Sequence, residues 1–558
     1  MTAACTATAG AQTFDPAVEA RNFSKTLERQ ATYTSLQGQL LLRQVSSANA
    51  DAALQAQLGD PERLFVGDLC WSGYDGCAGD PRLYDWAAKG YGTVEPILFT
   101  ARNGATLSGH VWATTAGPKR RPGVVIVNGS VQANEALYWY AAQALAKAGY
   151  VVMTFDPQGQ GQSDLSGEGA DAGEGVPAQT DGRPFFDGAQ DAVNFFFSRP
   201  GKPYEPVPSC TSGTSHAAKQ DRRVAAGLDT AYNPYARLLD RRRVGIAGHS
   251  YGAAGVSYVG QADPRVKAIV AWDNLAATAD GKADPATREG ACKDPAARKP
   301  VPLTKPALGM SADYFLPPTP NTSLPEPLGK SGASFSYSGA GVDTGEIIIR
   351  GGSHLDFSFI SNPAFGASLR GADMIAWYTT AWFDKYVKGD RSADRRLLSD
   401  RWRHDGDSAA VDPDHDGNDF SFYYRSRLDV HRANGTRYVC EDLRPDTCAL
   451  RAHDGVAGDY SYLAVATSPD NAGAGPTASR LRAPAKRRFC LRGRRVVIQL
   501  PRRLHVVRVK AVVRGRVVGR SHRRRVVLHL RRPGRARLFV TLRDHQYVTV
   551  VRRYRRCG

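Results

Sequence analysis

Long apolar runs are missing from this sequence, although 42% of its 558 residues are hydrophobic. No run approaches the roughly 20 residues that a helix needs to cross a membrane, so no transmembrane segment is expected. The chain also lacks a Cys-x-x-Cys pair, which argues against a zinc site. There is no RNA- or DNA-binding signature, which argues against specific nucleic-acid recognition. The composition is that of a globular protein, and the length is enough for roughly two to four domains.

Acidic residues are nearly absent from the last part of the chain. Residues 481–558 contain 26 Lys and Arg but a single acidic residue, Asp544, which gives a net charge of +25. Because the whole chain carries +19, the first 480 residues carry −6. Short strand-like runs such as residues 495–500 indicate a small basic β-sandwich. Such a domain is suited to hold a polyanionic surface or polymer. The plainer alternative is an accessory domain with Arg at its exposed strand positions.

The nine cysteines are spaced as a disulfide framework rather than as metal ligands. Four pairs are predicted, which leaves Cys5 over: Cys70–Cys77, Cys210–Cys292, Cys440–Cys448 and Cys490–Cys557. Disulfides persist in oxidising compartments, so the protein is expected to be secreted or associated with the cell envelope. Residues 7–9, Ala-Thr-Ala, resemble the end of a secretory signal. No basic or apolar stretch precedes them, so the signal is expected to be incomplete in this sequence.

The most informative motif lies at residues 248–252, which read Gly-His-Ser-Tyr-Gly and match G-x-S-x-G. The apolar run before it, residues 243–247, has strand character, and the small residues 253–256 after it favour a helix. A strand, a sharp turn with Ser at its apex and a helix form a nucleophile elbow. Side chains at the two Gly positions would collide with the neighbouring strand and helix. We therefore predict that Ser250 is a nucleophile; a chance match in a chain with 56 Gly is the alternative.

Two later strands lead to residues that complete a Ser-His-Asp triad. A strand-like run over residues 305–310 is followed by Asp313, and another over residues 345–350 is followed by His354. The carboxyl ends of parallel strands meet at one edge of a sheet. Ser250, Asp313 and His354 are therefore expected to meet there as nucleophile, orienting acid and general base.

The acid has an alternative. Asp273 follows the preceding strand and stands between Ser250 and His354 in the chain, as Asp313 does. Asp356, two residues after His354, is expected to be a local polar partner rather than the triad acid.

An oxyanion hole needs two backbone N–H groups aimed at the developing negative charge. One is expected from Tyr251, the residue after the nucleophile, and the other from a loop after an earlier strand. The apolar run over residues 123–127 is followed by Asn-Gly-Ser-Val. We assign the second donor to the Ser130 amide, with Val131 as the alternative.

A further segment carries a family resemblance. Residues 156–163 read Asp-Pro-Gln-Gly-Gln-Gly-Gln-Ser and look like the D-x-x-G-x-G-x-S segment that follows the fourth strand of many α/β-hydrolases. The spacing does not fit G-x-G-x-x-G or a P-loop. With the motifs above, residues 93–389, a little over half of the chain, resemble the α/β-hydrolase superfamily. The elbow and residues 263–268 and 352–354 look most like dienelactone-hydrolase-like and polyester-lipase or cutinase-like serine esterases.

The resemblance implies an α/β-hydrolase fold, a mostly parallel central sheet flanked by helices. It implies hydrolysis of carboxylic esters through an acyl-enzyme, with no metal and no cofactor. Amide or peptide hydrolysis by the same triad is one alternative. A non-catalytic pseudo-hydrolase that binds a surface through its basic domain is another.

Four regions are expected along the chain. They are an N-terminal helical extension (1–90), the catalytic domain (91–390), a β and loop extension (391–475) and the basic β-sandwich-like domain (486–558). Three long insertions in the catalytic domain, 165–182, 200–240 and 276–300, form either lids or surface loops. Residues 412–417 imitate the start of a calcium loop, but Tyr423 stands where its closing Glu is required, so a solvated acidic turn is expected.

Overall fold

A computed structural model divides the chain into two compact units, Met1–Gly455 and Val456–Gly558. The residues that it describes are 17, 36–63, 83, 86–88, 90–130, 134–177, 181–273, 275–278, 300–316, 319–320, 326, 328–360, 369–401, 419–421, 423–443, 451–452, 489–491, 495–500, 506–513, 516–530, 534–542 and 547–556.

A large mixed sheet lies at the centre of the first unit. Its strands are β1 (Gly92–Thr100), β2 (Thr106–Thr114), β3 (Arg121–Val127), β4 (Val151–Phe155), β5 (Leu239–His249), β6 (Val266–Trp272), β7 (Ala307–Leu316), β8 (Thr319–Pro320), β9 (Thr344–Ser353), β11 (Arg427–His431) and β12 (Arg437–Cys440). Strand β10 (Ser399–Asp400) lies outside this sheet. The order is β1-β2-β4-β3-β5-β6-β7-β9-β11-β12, and β8 pairs with β7. The six strands from β4 to β9 in this order are mutually parallel. The pairings at both edges are antiparallel.

Helices flank this sheet. In the described part of the first unit the α-helices are α1 (Leu36–Gly59), α2 (Trp139–Lys147), α3 (Arg183–Phe197), α4 (Ala217–Ala225), α5 (Tyr251–Ala262), α6 (Gly332–Gly339), α7 (Leu369–Phe383) and α8 (Asp394–Leu397). Helix α2 packs against α7, and α3 packs against α5. The approach of α3 to α5 requires Gly255, because a Cβ there would lie 2.2 Å from the Phe185 carbonyl oxygen.

Both faces of the central strands are covered. Every residue of β3 and β4 is buried. Val125 and Val127 belong to the apolar cluster that contains residues of α3 and α5. Val124 and Ile126, which point to the other face, are fully buried as well. Burial on both faces explains why these strands are continuous apolar runs rather than alternating ones. The prediction of an α/β protein with a central sheet flanked by helices is confirmed.

The N-terminal segment is anchored to the sheet domain where helix α1 ends. Asp60 pairs with Arg223 at 2.6 Å, and Arg63 pairs with Asp164 at 2.7 Å. All four side chains are almost completely buried, so removing one partner would leave an uncompensated charge. The two ion pairs therefore fix the end of the N-terminal segment to the domain that contains the central sheet. Residues 1–35 of the predicted helical extension lie, apart from Ala17, outside the described residues.

The segment after residue 390 contributes to the same sheet. Strands β11 and β12 form a hairpin on the outer side of β9. A separate pair of short parallel strands is formed by β10 (Ser399–Asp400), which precedes this hairpin in sequence, and β13 (Arg451–Ala452), which follows it. Residues 412–417, the sequence that imitates a calcium loop, lie outside the described residues, as do 279–299 of the third insertion.

The second unit contains only strands in its described part. They are β14 (Phe489–Leu491), β15 (Arg495–Gln499), β16 (Val506–Val513), β17 (Arg516–Ser521), β18 (Arg525–His529), β19 (Gly534–Leu542) and β20 (Tyr547–Arg556). A five-stranded sheet has the order β14-β20-β19-β16-β17, and β15 pairs with β18 in a second sheet. Ile498 and Leu528 of the small sheet share one apolar cluster with Val509 and Leu538 of the large one. The two sheets are therefore packed against each other.

None of the described helices combines the length and the hydropathy that crossing a membrane requires.

Candidate active site

Ser250 occupies a strained turn between β5 and α5. Its φ of 56° and ψ of −121° lie in a region that residues other than glycine rarely adopt. The Ser250 amide donates to the Trp272 carbonyl at 2.9 Å, which fixes the turn to the neighbouring strand β6. This is the geometry predicted for a nucleophile elbow.

The two glycines of the motif are required by the packing around this turn. A Cβ at Gly248 would lie 2.5 Å from the Gly252 carbonyl oxygen. A Cβ at Gly252 would lie 2.3 Å from the Asn128 carbonyl oxygen. Both contacts are with backbone, so neither could be relieved by a rotamer change. The prediction that side chains at the two glycine positions would collide with neighbouring segments is confirmed.

His354 follows strand β9 and begins a short 3-10 turn, His354–Ser358. Asp356 accepts from the Ser353 amide at 2.6 Å, and Ser353 Oγ accepts from the Leu355 amide at 3.2 Å. This capping box holds the turn that carries His354. Asp356 is thus a local partner of the turn, as expected. The His354 ring lies 4.5 Å from the ring of His249, the residue before Ser250.

The acid that contacts His354 is Asp273, not Asp313. His354 Nδ1 lies 2.6 Å from Asp273 Oδ2, and the carboxylate can only accept, so the imidazole donates. The Asp313 carboxylate accepts instead from the Gly351 amide at 2.7 Å and from the Ser421 hydroxyl. Strand β7 continues to Leu316, so Asp313 lies within the strand and not past its end. The geometry therefore corrects the predicted acid to the alternative, Asp273.

The backbone is strained at both Ser250 and Asp273. Among the described residues only three that are not glycine have a positive φ, namely Ser250, Asp273 and Phe359. Asp273 has a φ of 41°, and its amide donates to the Met310 carbonyl at 2.7 Å. Strain of this kind persists where the surrounding structure holds it in place, and it concentrates at functional sites. A strained serine and a strained aspartate at one edge of the sheet are consistent with a functional role for both.

Electrostatics also separates the two carboxylates. Burial acts to raise the pKa of Asp273, but the hydrogen bond and charge of His354, with Lys330 beyond it, outweigh burial and lower that pKa. Burial dominates at Asp313 and raises its pKa, despite the Gly351 amide and the Ser421 hydroxyl. An acid that orients a general base and stabilises its protonated form must itself stay ionised. Asp273 meets that requirement better than Asp313.

A buried carboxyl, that of Glu346, and a half-buried amine, that of Lys330, lie close enough to Asp273 to interact with its charge. Lys330 donates to the Ala312 carbonyl, and burial lowers its pKa against the attraction of Asp273, Asp313 and Glu346. Glu346 on β9 accepts from the Ser311 hydroxyl. Its side chain fills the space beside Gly309, where a Cβ would lie 1.9 Å from Glu346 Oε2. Neither group was predicted from the sequence.

Glu346 is expected to make stability depend on pH. Burial, with repulsion from Asp273, raises the pKa of Glu346 from 4.5 to about 8. Between these values the folded protein keeps a proton that the unfolded chain has released, so the free energy of unfolding falls as pH rises. Glu346→Gln removes this titration. The melting temperature of the variant relative to the wild type should therefore rise steadily from pH 5 to pH 8.

Differential scanning calorimetry of both proteins across that range measures the effect. Glu205→Gln, at an exposed position, is the matched control and should show no trend with pH. A difference between Glu346→Gln and wild type that stays constant from pH 5 to pH 8 would contradict the assignment.

The predicted oxyanion groups belong to two segments that meet at Ser250, the start of α5 and the turn after β3. Tyr251 is the first residue of α5, where N–H groups have no partner within the helix. Ser130 follows the turn after β3, and this turn lies against the elbow, because a Cβ at Gly129 would be 3.0 Å from Ser250 Cβ. The Asn128 side chain fixes the start of this turn by donating to Asp156 Oδ1 at 2.9 Å. Val131, the alternative donor, lies outside the described residues.

Aromatic side chains surround this edge of the sheet. The Phe315 ring lies 5.0 Å from the His354 ring, and Phe315 is 51% exposed. The Tyr251 ring stacks on Phe185 with centroids 5.4 Å apart and planes 18° apart. An exposed aromatic ring beside the histidine offers apolar contact to whatever approaches Ser250.

One cluster elsewhere in the described residues has the composition of a metal site. Glu174, Asp187 and Cys210 bring one ligand atom each within 4.8 Å of one another. Cys210 is disulfide-bonded, however, so its sulfur is not the thiolate that a metal requires. Glu174 pairs with Arg183 at 2.9 Å. The cluster is a charge network and supplies no metal-ligand set.

Cys440 is also disulfide-bonded. The predicted partners Cys292 and Cys448 lie outside the described residues, so the pairing stays a prediction.

No protein-family model matches the chain, and no curated protein matches it significantly.

Proposed function

We propose that the protein is a serine hydrolase that cleaves carboxylic esters through an acyl-enzyme. The observation that carries the proposal is the strained Ser250 turn beside the Asp273–His354 pair, whose aspartate is buried. Hydrolysis through a serine needs a nucleophile, a base and a group that orients the base. These three residues supply them from the ends of β5, β9 and β6.

In the proposed reaction Ser250 Oγ attacks the ester carbonyl carbon while His354 takes its proton. Asp273 keeps the His354 Nδ1 proton in place, which leaves Nε2 as the basic nitrogen, and it stabilises the imidazolium that forms. The Tyr251 and Ser130 amides bind the oxyanion of the tetrahedral intermediate. Collapse expels the alcohol, which receives the proton from His354. Water then enters, gives a proton to His354 and cleaves the acyl-serine by the same steps.

The arrangement also supports the proposal that the central sheet is an α/β-hydrolase fold. The elbow follows one inner parallel strand, β5, and the oxyanion turn follows its neighbour β3. That placement is the one in which a G-x-S-x-G serine acts. Within this superfamily, the resemblance to dienelactone-hydrolase-like and polyester-lipase-like esterases is the finer proposal.

A panel of p-nitrophenyl esters of increasing acyl length tests the activity, with a peptide p-nitroanilide as the arm for amide hydrolysis. We expect turnover of the esters and little or none of the anilide. Labelling by a fluorophosphonate, followed by peptide mapping, should place the adduct on Ser250. A folded protein that neither turns over any ester nor reacts with the fluorophosphonate would favour the pseudo-hydrolase.

We further propose that the protein is exported and that the second unit binds a linear polyanion. Disulfides at Cys210 and Cys440 support export. On the five-stranded sheet Arg508, Lys510 and Arg520 are exposed. Lys510 lies directly opposite Arg520 in the ladder, a like-charge pair that destabilises a sheet unless an anion lies over it. No ion pair within the described part of the chain involves any of these three side chains.

Elution of the full chain from immobilised heparin tests this surface. Replacing Arg508, Lys510 and Arg520 together by Gln should lower the salt concentration needed for elution, because fewer phosphate-like contacts release fewer counterions. A matched triple variant of exposed arginines in the first unit, at 120, 237 and 242, carries the same charge change. It should elute close to the wild type. Equal shifts in the two variants would show that net charge alone governs binding.

A further inference from the structure

A buried tyrosine hydroxyl connects the turn after β3 with the last residue of β5. The Gly129 amide donates to the Tyr138 hydroxyl oxygen at 2.9 Å. The same oxygen lies 2.9 Å from His249 Nδ1. Tyr138 is fully buried, and His249 is 3% exposed. One hydroxyl therefore joins the oxyanion turn to the residue before Ser250.

The direction of the two hydrogen bonds follows from the groups involved. The Gly129 amide can only donate, so the hydroxyl oxygen accepts from it. Burial lowers the pKa of His249 well below its ordinary value, and the neighbouring His354 lowers it further, so His249 is neutral. Burial raises the pKa of Tyr138, so the phenol keeps its proton.

A buried hydroxyl proton needs an acceptor, and His249 Nδ1 is within reach of it. The relay thus runs from Gly129 through Tyr138 to His249.

His249, the last residue of this relay, lies next to His354, the proposed general base. With Nδ1 of His249 accepting, its proton is on Nε2, and its ring lies 4.5 Å from that of His354. At the other end, a Cβ on Gly129 would lie 3.0 Å from both His249 Nδ1 and Ser250 Cβ. The Tyr138 ring is itself held parallel to Trp272, the residue before Asp273, with planes 4° apart and centroids 6.4 Å apart. Tyr138 therefore contacts the chain next to two members of the proposed triad and next to the oxyanion turn.

We propose that Tyr138 is a positioning residue for the reaction at Ser250, with His249 as its anchor. The proposal rests on the proposed function. Tyr138 would act by holding the Gly129 turn at the distance where the amide that follows it can bind an oxyanion. Oxyanion binding is sensitive to such placement, because the donors must meet the oxygen of the intermediate rather than that of the bound ester. A displacement of about 1 Å is enough to lower a rate roughly 10²-fold.

Tyr138→Phe tests this role in the full chain. We expect kcat on a p-nitrophenyl ester to fall roughly 10- to 100-fold with KM nearly unchanged, because the lost contact acts mainly in the transition state. The inhibition constant of phenylboronic acid, which forms a tetrahedral adduct with a nucleophilic serine, should rise by a similar factor. Tyr204→Phe is the matched control: Tyr204 is a buried tyrosine whose hydroxyl donates to the Thr100 carbonyl at 2.9 Å. It should keep the kcat and inhibition constant of the wild type.

A pair of substitutions at His249 tests the anchor separately and covers a failure of Tyr138→Phe to fold. His249→Asn keeps an acceptor for the Tyr138 hydroxyl, so its kcat should stay close to that of the wild type. His249→Leu removes the acceptor and should reproduce the loss seen in Tyr138→Phe. A folded Tyr138→Phe with wild-type kcat and boronate inhibition would overturn the proposal, as would equal activity of His249→Asn and His249→Leu. Absence of turnover and fluorophosphonate labelling in the wild type would instead reject the proposed function.

Discussion

Replacing Ser250 by Ala is expected to lower kcat on p-nitrophenyl esters by at least about 10³-fold. The substitution removes the oxygen that forms the acyl-enzyme and leaves the base and oxyanion groups in place. What activity persists would come from those groups acting on water, since removal of a triad member leaves a residual rate of that origin. The variant should also no longer react with a fluorophosphonate. Initial rates at saturating substrate and labelling of both proteins measure the two effects.

Ser257→Ala is the matched control for this substitution. Ser257 lies on helix α5, about two helical turns after Ser250. Its buried hydroxyl donates to the Ala253 carbonyl at 2.7 Å. The same atom is removed, but away from the turn. Ser257→Ala is expected to keep most of the wild-type kcat and to be labelled. Unchanged turnover in Ser250→Ala would show that Ser250 is not the nucleophile.

The elbow could be predicted because its requirements are local. A tight turn between a strand and a helix leaves no room for Cβ atoms at Gly248 and Gly252, so the constraint appears in the sequence as two glycines at fixed spacing. The inner strands were predictable for a similar reason. Burial on both faces makes them unbroken apolar runs, as β3 and β4 show. Each of these signals depends on a few consecutive residues.

The triad acid could not be chosen in this way, because the choice depended on where a strand ends. The apolar run over residues 305–310 stops before Asp313, so a strand that ended with the run would deliver Asp313 to the sheet edge. Strand β7 instead continues to Leu316, because its second half pairs with the end of β9. Asp313 is then used within the sheet to hold Gly351 and Ser421. A positive φ at Asp273 has no counterpart in the sequence.

Tyr138, Lys330 and Glu346 left no sequence signal at all. Each is placed by contacts between distant parts of the chain, such as Tyr138 with His249, 111 positions apart. Glu346 lies in an otherwise mostly apolar strand, where a single carboxyl would be expected to face solvent. It is buried because Gly309 on the neighbouring strand leaves space for it. Groups around the triad that depend on sheet register are therefore found only in three dimensions.

Asp273→Asn is expected to lower kcat by about 10³- to 10⁴-fold, while Asp313→Asn is expected to change it by less than about tenfold. The first substitution keeps the size of the side chain, but the new amide can donate to His354 Nδ1 and so favour the tautomer with its proton on Nε2. That tautomer cannot take the proton of Ser250. The amide also lacks the negative charge that stabilises an imidazolium. The loss should appear in kcat and kcat/KM together, since the interaction acts in the transition state.

At position 313 the consequence should be structural. An asparagine side chain there can still accept from the Gly351 amide through its carbonyl, but its NH2 group cannot accept from the Ser421 hydroxyl, so one of the two contacts of Asp313 is kept. A lower melting temperature with nearly normal kcat is the expected result. Kinetics and melting curves of Asp273→Asn and Asp313→Asn, measured side by side, separate the two carboxylates. A large loss of kcat in Asp313→Asn and a small one in Asp273→Asn would return the role of triad acid to Asp313. It would also mean that the Asp273–His354 contact is rearranged when substrate binds.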